Sequence, residues 1–353
     1  MSSTKPKVCD LGAVSIGDCK IEYAALQIPS SSWLNCDLYQ VYTNLKGGGN
    51  LMVLIDAVDN PSTAKALGEQ FRKYLPDNQS QSSLSASDPI QESWDFLIAV
   101  EGLSVPPLHP KIEATGNCGD VKVLRLRRGQ KAQLLSVVHS TDNHAEAARI
   151  KELGEAALSK WQNTSGDTEP VKVCQIIPRG KDEQGQPHNM RLTAWNTPVL
   201  DVPEKAAQNM ICPQSFPEIN YCRGAGFFSL KPAFQAIPAV GVFDVEYGDI
   251  ILVISDGAEA LMHLAKVNDR FNQLLQFLDE QLELFSLAHP GMPNLAERFM
   301  QHLHTAFAEL REEKIRVREM QSGRFYEPDD LTVLAAVVSK EAVPDTMQSS
   351  VKA

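Results

Sequence analysis

Gly248-Asp249-Ile250-Ile251-Leu252-Val253-Ile254-Ser255-Asp256-Gly257 is the stretch that decides the fold. Its unbroken isoleucine, leucine and valine run predicts a strand buried on both faces. The run stops at a carboxylate, and Gly257 permits a tight turn or a close backbone approach just beyond it. A buried strand that delivers an aspartate at its end can hold a hard cation or position a proton. Asp-Gly also starts ordinary turns, and aspartate caps helices. What separates these readings is whether other strands deliver carboxylates in the same way.

Two do. Leu51-Met52-Val53-Leu54-Ile55 ends in Asp56, and a third apolar run, Leu331 to Val338, is preceded by Asp329 and Asp330. If the outgoing ends of the first two strands meet the incoming end of the third, Asp56, Asp256 and Asp329 converge at one edge of a core. Like charges that close repel unless a cation compensates them. Oxygen-only ligands suit Mg²⁺ or Mn²⁺. A bridging carboxylate can hold two such ions about 3.5–4 Å apart and activate a water for attack on phosphorus. Three unrelated strand-end turns are the alternative.

The chain has 353 residues, 43% hydrophobic and 22% charged, enough for a sizeable core. A net charge of -11 argues against a nucleic-acid surface or an anionic membrane as partner. The 7 cysteines run from Cys9 to Cys222 without a C-x-x-C pair, a pattern of reduced thiols and a cytoplasmic setting. Met-Ser-Ser-Thr-Lys-Pro-Lys lacks the apolar core of a signal peptide, and no segment is long and apolar enough to be read as a membrane span.

Residues 8–28 read as a strand pair around Gly17-Asp18, and 121–127 with 132–138 as a hairpin through Gly129. Asp142 is the expected cap of a helix reaching Trp161. Val171 to Ile177 is a strand, and 178–217 an irregular surface excursion rich in Pro, Gly, Asn and Gln that carries short strands. Helices follow from Asp269 to Ala288 and from Asn294, where Asn294-Leu295-Ala296-Glu297 resembles a capping box. The charged end of the second, Glu312 to Arg318, reads as a solvated face. Flexible ends, 1–7 and 339–353, flank one expected domain, 8–338. Strands in runs with helices grouped between them favour an α+β fold.

These residues resemble a family, the metal-dependent type 2C Ser/Thr protein phosphatases. Ser255-Asp256-Gly257 and Asp329-Asp330-Leu331-Thr332 look like its late motifs, and Asp56-Ala57 stands where it has Asp-Gly. Asn117-Cys118-Gly119-Asp120-Val121-Lys122 is similar to N-x-G-D-S-R. His139-Ser140 with Glu146, Arg149-Ile150 and Gly154 resembles D-H-S followed by E-x-x-R-I-x-x-x-G. Gly224-Ala225-Gly226, Lys231-Pro232 and Pro238 follow the family's L-G-D, K and P-x-V order.

The resemblance implies a central β-sandwich of two antiparallel sheets flanked by helices, with two Mg²⁺ or Mn²⁺ ions at one end. Asp56 would bridge them, the Ala57 carbonyl would bind one, and Asp256 and Asp329 the other. Asp120 matches an accessory third-metal position. A phosphoprotein substrate or a protein partner is implied. The chain also departs from the pattern. For R-x-x-x-E-D the best match is Lys20-Ile21-Glu22-Tyr23-Ala24-Ala25, so Lys20 would contact phosphate without a bidentate fork, and both acids are alanines. Ala57-Val58-Asp59-Asn60 replaces G-H-G-G. An active phosphatase, a pseudophosphatase that keeps the fold as a binding module, and a hydrolase of another phosphoester are the readings this leaves.

Overall fold

A computed structural model describes residues 7–16, 19–30, 37–42, 51–56, 112–117, 119–163, 170–181, 185, 187–197, 216–224, 228–237, 239–262, 270–288 and 294–340. Along the chain the first strands are β1 (Lys7–Ile16), β2 (Cys19–Ile28), β3 (Leu38–Tyr42), β4 (Leu51–Ile55), β5 (Ile112–Asn117), β6 (Lys122–Leu126) and β7 (Gln133–Leu134). Helix α1 (His144–Asn163) precedes β8 (Lys172–Lys181), β9 (Pro187–Asn196), β10 (Ala239–Asp244) and β11 (Ile250–Ile254). Then come α2 (Gly257–Leu261), α3 (Arg270–Ala288), α4 (Leu295–Ser322) and β12 (Leu331–Lys340).

The central sheet has the order β1-β2-β12-β11-β6-β7, and every pairing in it is antiparallel. Both long apolar runs lie inside it, as their lack of alternation requires. Side chains two apart share a face, so each run feeds two cores. Ile250, Leu252 and Ile254 of β11 join Leu331, Val333, Ala335 and Val337 of β12 on one face. There they meet Leu274, Leu278, Leu282 and Phe285 of α3 and Phe299, Leu303 and Phe307 of α4. Phe285 and Phe299 pack edge to face, 5.1 Å between centroids. Ile251, Val253, Leu334, Ala336 and Val338 point the other way, against Tyr39, Val41, Met52, Leu54 and Phe243.

The architecture is mixed α+β with antiparallel sheets, as expected. Opposite the helices, the described second layer consists of two separate pairs, β3–β4 and β5–β10. A third core joins α1 to the β8–β9 hairpin through Ile150, Cys174 and Leu192. Gly154 lets the helix lie on β8, because a Cβ there would stand 2.8 Å from the Cys174 carbonyl oxygen. Within the excursion, expected to carry short strands, β9 is such a strand, paired antiparallel with β8.

Three local expectations differ from what is observed. The cap of α1 is Asn143, not Asp142: its Oδ1 accepts from the Ala145 and Glu146 amides at 2.9 and 3.4 Å. Asn294 adopts left-handed backbone (φ 57°) and makes no side-chain cap bond, so the capping box does not form. Within the charged end of α4, Lys314 is buried and donates to the Met262 carbonyl at 2.8 Å. Burial pushes its ammonium down to about 8. The end of α2 covers this part of α4, and charge periodicity alone does not reveal which residues are covered. None of the described helices is long and apolar enough to cross a membrane.

Candidate metal centre

Antiparallel pairing brings the strand ends together. Ile254 at the end of β11 faces Val333 near the start of β12 and Lys122 at the start of β6, and Leu331 faces Ile28 at the end of β2. Asp256, Asp329, Asp330 and Asp120 therefore belong to one edge of the sheet. The β3–β4 hairpin pairs Leu38 with Ile55, which sets Asp37 and Asp56 side by side at its open end.

Ser255 ties this edge. Its amide donates to the Thr332 carbonyl and its Oγ accepts from the Thr332 amide, both at 3.0 Å. Gly257 completes the join: a Cβ there would overlap the Asp330 carbonyl oxygen. The glycine of Asp-Gly is thus required by close backbone approach. Asp330 Oδ1 accepts from the Ser30 amide at 2.5 Å, and Arg311 donates to the carbonyls of Ile28, Asp329 and Pro328 at 3.2, 3.4 and 3.5 Å. Asp330 is a structural carboxylate that fastens β12 to β2.

The remaining acids feel one another. Burial pushes the Asp56 carboxyl up to about 10, and the charges of Asp256, Asp37, Asp120 and Asp329 add to the shift. Asp256 rises to about 7 through burial and the charges of Asp120 and Asp329, against the pull of Lys122. Asp37 rises to about 6 by burial, although hydrogen bonds with Thr332 and Ser255 oppose the shift. Burial also raises Asp120, with Lys122 opposing. This surplus of negative charge in a poorly solvated place is what a hard cation would relieve, and all its donors are oxygens. Among the described residues no three His, Cys, Asp or Glu side chains are grouped closely enough to hold an ion.

The expected site residues divide. Asp56, Asp120 and Asp256 share one electrostatic cluster, while Asp329 sits at its exposed rim with Oδ1 accepting from the Asp330 amide at 2.9 Å. Ala57 lies outside the described residues, as do Val58, Asp59 and Asn60. Lys20 is not with the aspartates. It pairs in register with Ser339, eight residues down β2 from Ile28 and so about 26 Å away along the strand. Its Nζ instead meets Glu22 Oε1 at 2.6 Å, beside Asn294, Ala296 and Glu297 of the α4 start. Ala24 and Ala25 point into opposite cores, so neither position could present an acid to a site.

Sequence reading missed Asp37. It directly precedes the alternating Leu38–Tyr42 strand, and the Gly47-Gly48-Gly49 turn to Leu51 was the available sign that β3 and β4 return to the same end.

The residues of the proposed E-x-x-R-I-x-x-x-G helix form a separate knot. Glu146 Oε1 accepts from Arg223 Nε and Nη2 at 2.7 and 2.5 Å, and its Oε2 from Arg149 Nη2 at 2.6 Å. Beside it, burial and the Arg223 charge hold the His139 imidazole down at about 4.

No family model and no curated protein matches the chain. Among solved structures it is similar to a phosphatase from Toxoplasma gondii (12% identity, 96% of this chain and 97% of that one, TM-score 0.49). It is similar to a C. elegans sex determining protein at 15% identity and TM-score 0.49, over 90% of this chain and 64% of that protein's length. It is also similar to the catalytic domain of the serine/threonine phosphatase PstP in complex with two manganese ions (13% identity, 91% and 100% coverage, TM-score 0.38). All three overlays stay below 0.5, so the chemistry of this chain has to be read from its own side chains.

Proposed function

We propose that the chain is a metal-dependent phosphoester hydrolase of the type 2C phosphatase kind, acting on phosphoserine or phosphothreonine in proteins. The observation that carries this is the set of mutually repelling aspartates 37, 56, 120 and 256 at one end of the strands, Asp37 buried and the other three half-buried. On this reading the central sheet and the two strand pairs facing it are the halves of a β-sandwich whose open end holds the site. Asp56 and Asp256 would hold Mg²⁺ or Mn²⁺, with Asp37 beside them and Asp329 at the rim. When bound, such ions supply a nucleophile from water and charge for the phosphoryl oxygens. The aspartates would give up their protons to solvent as the cation binds, which couples its uptake to pH.

Chelation, or Asp256→Asn, is expected to abolish Mn²⁺-dependent hydrolysis of p-nitrophenyl phosphate. Clean wild-type protein without such turnover overturns the proposal.

A second reading, a pseudophosphatase that binds a protein partner, is favoured by two observations. No three described acids are grouped to hold an ion, and Lys20 stands at the far end of β2. It predicts a partner whose binding is indifferent to Asp56→Ala and to chelation.

A further inference from the structure

Besides Arg311, which holds the Asp329 and Pro328 carbonyls, the described part of the aspartate edge contains a second cation. Lys122 opens β6 with a buried side chain. Its Nζ donates to the Asp120 carbonyl at 2.9 Å and meets Glu259 Oε1 of α2 at 2.8 Å. This places a fixed positive charge between the strand that follows Asp120 and the helix that follows Asp256. Both aspartates feel it: Lys122 is the attractive charge acting on each. A buried ammonium loses its hydration and is stable only among anions and carbonyl oxygens. A built-in counter-ion that holds like charges together does so whether or not a metal ion is present.

We propose that Lys122 is a tethered counter-ion of the aspartate edge, standing where a cation beside Asp120 would stand. It lets the chain fold metal-free and leaves the Asp37, Asp56 and Asp256 side as the place where added metal is taken up. Glu259 positions the ammonium by holding its far side. The inference about metal uptake rests on the hydrolase reading; the inference about folding does not.

The consequence differs from that of an ordinary buried ion pair. Loss of Lys122 should be damaging in proportion to the negative charge left behind, and should be repaired by anything that neutralises it. Lys122→Met in the full chain should melt lower than wild type by about 3 °C or more in chelator. Saturating Mn²⁺ should recover most of that loss and should bind the variant with a higher stoichiometry than wild type. Lys122→Arg should behave as wild type. If Lys122→Met does not fold in chelator, Lys122→Met with Asp256→Asn should fold, because one negative charge has been removed with the positive one.

An equal melting deficit for Lys122→Met with and without Mn²⁺, and no rescue by Asp256→Asn, would mean that Lys122 merely packs, and would overturn the proposal. Wild type that takes up no Mn²⁺ in the titration overturns the hydrolase reading instead, and the Asp256→Asn rescue in chelator then decides the role of Lys122 alone.

Discussion

Among the described residues, the Glu146 knot and the aspartates at the sheet end are two acidic places that are compensated differently. Burial pushes the Glu146 carboxyl up, but hydrogen bonds and charge from Arg223 and Arg149 more than reverse this and hold it below the usual carboxylate range. At the sheet edge the same burial acts on four aspartates, with Lys122 as the opposing charge on Asp120 and Asp256, and all four carboxyls rise. The first place is electrically closed and structural. The second has charge left over, which a proton or a cation would relieve. A buried acid therefore marks chemistry only when its own chain does not neutralise it.

Breaking the closed site should cost most. Glu146→Gln leaves Arg149 and Arg223 without their counter-charge, and is expected to destabilise the chain by about 3 kcal/mol in denaturant unfolding. It should leave Mn²⁺ affinity nearly unchanged. Gly257→Ala attacks the open site through the backbone. Its new methyl meets the Asp330 carbonyl, and the expected cost is about 1–3 kcal/mol. Here Mn²⁺ affinity should fall as well, because the shift moves Asp256.

The pH dependence distinguishes the two places without mutation. The aspartates bind protons more tightly folded than unfolded, so in chelator the folded state is favoured at low pH and loses stability as pH rises. For Asp37 and Asp256 the loss runs from about 4 up to about 6 and 7, and for Asp56 it continues toward about 10. His139 works oppositely: its depressed value means stability falls as pH drops from about 6.5 toward 4. Thermal melts across pH should show the alkaline decline in chelator, and saturating Mn²⁺ should flatten it. A decline unchanged by Mn²⁺ would mean that the aspartates do not take the ion. The smallest effect is expected for Lys20→Ala, which breaks a partly exposed pair for less than about 1 kcal/mol and leaves Mn²⁺ affinity and turnover unaltered.

Much of this was legible along the chain. The apolar runs Ile250–Ile254 and Leu331–Val338 are strands because nothing else buries so many β-branched residues on two faces, and the aspartates at their ends are visible beside them. Asp256 and Asp56 were singled out for that reason. Lys20 was misplaced because the short-range pattern of Lys20 and Glu22 resembles a motif while carrying no information about which end of a ten-residue strand meets the site. Asp37 was overlooked because no apolar run leads up to it. Lys314 was read as solvated because helix charge patterns do not say which neighbouring element, here the end of α2, covers the helix.

The amino-acid sequence by itself determined the buried strands, their helical cover, and the carboxylates poised at strand ends, since burial and periodicity are local properties of composition and spacing. Only the tertiary structure decided which carboxylates share an edge and which cation stands among them. Register between β2, β12, β11 and β6 brings Asp120, Lys122, Asp256 and Asp329 to the same end and sends Lys20 to the other. The physical reason is that charge interacts through space, and antiparallel pairing joins residues more than 200 positions apart while separating neighbours on one strand.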